Sequence, residues 1–295
     1  MLLNYLRGFQ SYLQLEKGLS KHTIDAYSRD LRLLDKHLSA DKTIQEISKN
    51  DIQDFLLAIN ELELAATTQA RIISGLKAFF NYLELEKEIT INPTELIQTP
   101  KTKRQLPDVL TIEEIDLLFA SVDLSKSEGH RNRAILETLY SSGLRVSELT
   151  ELLISNLYLD IGYIKVHGKG NKERLVPIGD SATKHICIYL EQVRKLQRIK
   201  KGFEDHVFLN RRGASLTRVM IFYIIKEVTA LARIEKNIHP HTLRHSFATH
   251  MVEGGADLRA VQEMLGHESI TTTEIYTHLD TSFLRATLEK YHPRF

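Results

Sequence analysis

A chain of 295 residues suits one large domain or two ordinary ones, and 42% hydrophobic residues are enough for a proper core. No apolar run is long enough to cross a membrane, and Asn4 and Arg7 break any signal-peptide pattern in MLLNYLRGFQ. The single cysteine, Cys187, excludes an internal disulfide framework and fits a reducing cytoplasm, while a net charge of +1 announces no partner unless a basic face is offset elsewhere.

Residues 1 to about 90 read as helices only. Ser20 can cap a helix through Leu38, with Ile24, Tyr27, Leu31 and Leu34 at helical spacing. A second helix, from about Thr67 to Glu86, carries Ile72, Leu76, Phe79, Phe80 and Leu83 on one face, and Asn92-Pro93 stops it. The polar stretch TPKTKRQLPD follows, with Lys101, Lys103 and Arg104 free to meet an anion. Thr111-Ile-Glu-Glu114 is a capping box ahead of an apolar helix. From Gly162 to Ile178, YIKVH and ERLVPI flank GKGNK and read as a hairpin. The expected fold is mainly α. An all-helical unit spans 1–98, a basic linker 99–108, and a mostly helical unit with a small antiparallel sheet 109–295.

The densest chemistry lies in HPHTLRHSFATH, residues 239–250. Pro240 suits a first helical turn, and Leu243, Phe247 and Met251 recur every four residues as a buried stripe. His241 and Arg244 are three apart on another face, near a helix N-terminus whose free N–H groups and dipole favour an anion. A metal would need further acidic or thiol ligands and no guanidinium beside it, so the segment asks for a phosphate. His245 and His250 read as packing or supporting residues. Three other segments join it. SSGLRVSELTEL places Arg145 at a helix start with Glu148 one turn on, a spacing shared by ordinary surface pairs. HGKGNKERLVPIG puts Lys169 between glycines at a hairpin tip, without the spacing of a nucleotide-binding P-loop. In LGHESITTTEIYTH, Thr271 and Glu274 can box-cap a helix bearing Tyr276, which by itself reads as readily as half-buried packing.

Taken in order, Arg145, Lys169, His241-x-x-Arg244, His267 and Tyr276 resemble the tyrosine site-specific recombinases, most of all the bacterial Xer recombinases that resolve chromosome dimers. The resemblance covers nearly the whole chain; SKHTIDAYSRDL, from Ser20 to Leu31, is similar to the family's core-binding domain. It implies a transesterification in which Tyr276 attacks a DNA phosphodiester, giving a 3′-phosphotyrosyl link and a free 5′-hydroxyl. Arg145, Arg244 and His267 would then hold the phosphate oxygens, His241 would be the base, Lys169 the acid, and Glu148 an orienting residue. No metal, cofactor or ATP is expected. The implied partner is double-stranded DNA carrying an inverted-repeat site, gripped by four protomers on two sites, with Arg29, Arg71, Lys77 and the linker cations as phosphate contacts. An identical or a paralogous partner, and activation by a DNA translocase, stay open. A mobile-element integrase, a type IB topoisomerase, a metal-dependent nuclease and a DNA-binding protein with a dead site are the rival readings. The tail raises one more expectation. Phe283, Leu284, Leu288 and Tyr291 form an apolar stripe; periodicity favours packing on its own domain, whereas the resemblance implies docking on a neighbouring protomer.

Overall fold

The computed structural model describes residues 1–295 apart from 40, 63, 101–107, 169–172 and 267–280. It divides into two compact units, Met1–Gln105 and Leu106–Phe295, each with its own hydrophobic core. As expected, the architecture is mainly helical with one small antiparallel sheet.

Unit 1 is built from α1 (Leu6–Leu15), α2 (Lys21–His37), α3 (Lys49–Glu61) and α4 (Ala66–Leu85). Each presents one apolar stripe: Leu6, Phe9 and Leu13 on α1, and Ile52, Phe55 and Ile59 on α3. The Ser20 hydroxyl accepts from the Thr23 amide at 3.3 Å, so α2 begins where the sequence places its cap. The aromatic centre is made by Phe9, Phe79 and Phe80, with ring centroids 5.2 Å and 5.4 Å apart. Gly75 lets α4 approach α2 closely, since a Cβ there would lie 3.0 Å from the Tyr27 ring.

Unit 2 surrounds α6 (Ser127–Ser142), whose second half is buried on nearly every side, so that polar residues such as Glu137, Thr138 and Ser142 are enclosed along with Ile135, Leu136 and Leu139. Ahead of it, α5 (Ile112–Ala120) starts at the expected capping box: Thr111 Oγ accepts from the Glu114 amide at 3.2 Å, and Glu114 accepts from the Thr111 amide at 2.8 Å. After α6 come α7 (Val146–Thr150) and a sheet of β1 (Leu157–Tyr158), β2 (Tyr163–His167) and β3 (Glu173–Pro177), antiparallel in that order. The expected hairpin is β2 and β3, in register from Tyr163 opposite Pro177 to His167 opposite Glu173. Further helices are α8 (Asp180–Ile188), α9 (Arg218–Leu231), α10 (Pro240–Glu253), α11 (Leu258–Leu265) and α12 (Thr281–Tyr291). Leu243, Phe247 and Met251, the stripe read in the sequence, are all fully buried where α10 packs on α6. No helix among the described residues is long and apolar enough to cross a membrane.

The tail packs as its periodicity suggests. α12 packs in cis on its own unit, against β3, α10 and α11, with Leu284 and Leu288 buried. Its edge is fastened as well: Arg285 donates to the Ile161 carbonyl at 3.2 Å, and Arg294 pairs with Asp116 and the buried Glu137. Leu284 and Leu288 of the apolar stripe thus meet apolar surface of their own unit, while Phe283 of the same stripe stays exposed.

Candidate active site

The site starts from how α6 ends. Gly143 adopts φ +58°, a left-handed conformation that stops the helix and that side chains rarely take. A Cβ there would also lie 2.5 Å from the Phe247 ring, so the position has no room for one. Two residues later Arg145 becomes the N-cap of α7, and Glu148 is its third residue. The Glu148 carboxylate accepts from the Arg145 backbone amide at 2.8 Å and from its guanidinium at 2.9 Å. The spacing of three read in the sequence therefore builds a cap and an ion pair together.

Glu148 is buried and holds a second guanidinium. Arg174, on β3, forks onto it, with Nη1 2.7 Å from Oε1 and Nη2 3.0 Å from Oε2. Burial alone would raise the Glu148 carboxyl, but hydrogen bonding and charge from Arg174, followed by Arg145, outweigh it and hold the pKa below the ordinary value.

The third guanidinium is Arg244, brought in by the first turns of α10. It donates to the Gly143 carbonyl at 2.6 Å and to the Leu265 carbonyl at 2.7 Å. Burial and then the charge of Arg145 press its pKa down to about 10, which leaves it protonated at neutral pH. Arg145 also donates to the Gly266 carbonyl at 2.9 Å, and Arg174 Nε to the Met264 carbonyl at 3.2 Å. Three successive carbonyls at the C-terminus of α11 thus each accept from a different arginine. A helix C-terminus leaves its last carbonyls without helical partners and carries partial negative charge, so cations belong there. Two guanidiniums on one carboxylate, with a third held beside them by backbone carbonyls, leave net positive charge, which suits an anionic group developing further charge.

His241 lies in the first turn of α10 and reaches solvent. Burial of part of its surroundings lowers its pKa, with the Arg244 charge next and His239, Arg145 and His245 adding to it. The other histidines of this segment have separate jobs. His239 caps α10 by accepting from the Thr242 amide at 3.2 Å, a role not read in the sequence, and His250 is buried 2.7 Å from the Tyr140 hydroxyl.

Of the six expected catalytic residues, Arg145, His241 and Arg244 come together with Glu148. Lys169, His267 and Tyr276 lie outside the described residues, as do Lys101, Lys103 and Arg104. In unit 1, Arg29 is exposed on α2, and Lys77 is half-buried on α4. Arg71 pairs with the buried Asp30, so its charge already has a partner. Arg174 was missed. It stands in the same GKGNKER run as Lys169, and the available signal was its place two residues before the buried Val176, an inward position on a strand.

Residues 108–282 match the phage integrase family profile, and residues 6–87 match the profile of the phage integrase N-terminal SAM-like domain. The chain belongs to the phage integrase family. It is 44% identical over 288 residues to the tyrosine recombinase XerD of Staphylococcus haemolyticus (strain JCSC1435), covering 97% of each. The crystal structure of XerA recombinase shares 30% identity over 100% of both chains, with a TM-score of 0.52. XerH site-specific recombinase, bound to palindromic difH substrate in a post-cleavage complex, shares 27% identity with a TM-score of 0.69, covering 89% of this chain and 78% of that one. The protein is a tyrosine site-specific recombinase, an enzyme that binds, cuts and rejoins DNA.

Proposed function

We propose that this recombinase resolves chromosome dimers at an inverted-repeat site during chromosome segregation, with Tyr276 as the nucleophile. The observation that carries the reading is the cluster of Arg145, Arg174 and Arg244 around Glu148, at the end of the helix that leads in sequence to His267 and Tyr276. The Tyr276 oxygen attacks phosphorus, the bond to the 5′-oxygen breaks, and a 3′-phosphotyrosyl link forms; attack by a 5′-hydroxyl reverses these steps and rejoins a strand. Arg145 and Arg244 hold the non-bridging oxygens, and His267 donates one further hydrogen bond. Removal of one such donor typically costs about 10²–10³-fold in rate. His241 takes the tyrosine proton, and the Lys169 ammonium gives one to the leaving oxygen. The linkage energy stays in the phosphotyrosyl bond, so neither ATP nor a cofactor enters the balance.

Residues 1–98 serve as the core-binding unit, 99–108 as the linker and 109–295 as the catalytic unit, with Arg29, Lys77, Lys101, Lys103 and Arg104 on phosphates. Four protomers act on two sites in the cytoplasm, with an identical or paralogous partner and under a translocase where one is required. The names of the staphylococcal relatives and the XerH complex support the Xer-type role. Tyr276→Phe tests the nucleophile: DNA binding should persist while the covalent adduct on a nicked suicide substrate disappears. A denaturant-resistant adduct in the Phe variant would refute the assignment.

A further inference from the structure

Glu148 can accept about four hydrogen bonds, and all four are made. Arg145 supplies two of them, from its amide and its guanidinium, and Arg174 supplies the others as a two-pronged fork. Were Arg145 alone with Glu148, the pair would be neutral, and the carboxylate would cancel the charge that a phosphate needs. The second guanidinium restores the excess.

The two arginines differ in what remains free. All three nitrogens of Arg174 are engaged, Nε on the Met264 carbonyl and both Nη on Glu148, and its side chain is only 17% exposed. Arg145 is 37% exposed, so it is the guanidinium that can meet a ligand. Arg174 also bridges three elements: β3, the start of α7 and the end of α11.

We propose that Arg174 is a positioning residue for DNA cleavage, holding Glu148 so that Arg145 keeps both its orientation and its uncancelled charge toward the scissile phosphate. Glu148 responds more strongly to Arg174 than to Arg145, which agrees with that order of dependence. The inference rests on the reading of Arg145 as a phosphate-holding residue.

The test uses the full-length protein and two nicked suicide substrates, one with an ordinary scissile phosphodiester and one with a methylphosphonate there. The methylphosphonate linkage is uncharged and needs less positive charge in its transition state. Arg174→Gln should slow single-turnover cleavage of the phosphodiester by about tenfold to a hundredfold, less than the loss of a direct donor. Half-site affinity should stay within about twofold, since the invoked contacts stabilise the transition state rather than the complex. On the methylphosphonate the defect should shrink several-fold, whereas a merely structural loss would slow both substrates alike. Arg174→Lys, which keeps a charge but not the fork, should show the same discrimination with a smaller loss, and it decides the matter if Arg174→Gln fails to fold. Wild-type rates, or equal slowing on the two substrates, would overturn the proposal. Arg145→Gln is the control: without discrimination there, the reading of Arg145 fails first and the proposal goes with it.

Discussion

His241 occupies a position where its own surroundings choose its protonation state. Burial and the nearby Arg244 disfavour the imidazolium, so the folded pKa lies below the ordinary 6.5. The neutral ring is the form that can take a proton from tyrosine, and it persists as pH falls until the lowered folded value is crossed. At subsaturating DNA, cleavage reports the free enzyme, so its acid limb should fall below pH 6.5. An acid limb above that value would exclude His241 as the base in this environment. Arg145, Glu148, His241 and Arg244 were legible because each pair is three residues apart at a helix start, where spacing and geometry nearly coincide. Arg174 was not, because its carboxylate partner lies 26 residues away and only the register of β3 brings the two together.

At the level of elements, capping and periodicity placed α2, α4, α5, α10 and the β2–β3 hairpin to within a residue or two. They succeed where one stripe faces one core. They say nothing about which core, and so the destination of α12 needed the structure. Since Leu284 and Leu288 are buried in unit 2, deletion of residues after Ser282 should destabilise this unit itself. At about 1.5–3 kcal/mol for each fully buried leucine, the loss should be roughly 3–6 kcal/mol, read as a lower urea midpoint of the catalytic unit. An unchanged midpoint would mean that the helix rests on the unit without stabilising it.

For the whole molecule, a formal charge of +1 is a sum that hides local excess, such as the guanidiniums of Arg145, Arg174 and Arg244 beside the single carboxylate of Glu148. Binding to a half-site should therefore weaken steeply with salt, because local cations displace counterions from phosphate whatever the total charge. Titration at several salt concentrations would show it, and a flat plot of log K against log salt would contradict it. Composition could not reveal this, since a sum over the chain discards position.

Gly143 carries a consequence for how freely the sequence can vary. Three demands fall on one residue: a left-handed backbone, empty space beside Phe247, and a carbonyl aimed at Arg244. Asparagine, the usual substitute when only the backbone is unusual, meets the first demand and fails the second. A library randomised at codon 143 and selected for recombination should return glycine almost alone, while Ser142→Ala, which removes only a hydroxyl bonded to its own helix, should survive. The site's tolerance of mutation is thus narrowest at a residue that has no side chain to contribute to the chemistry.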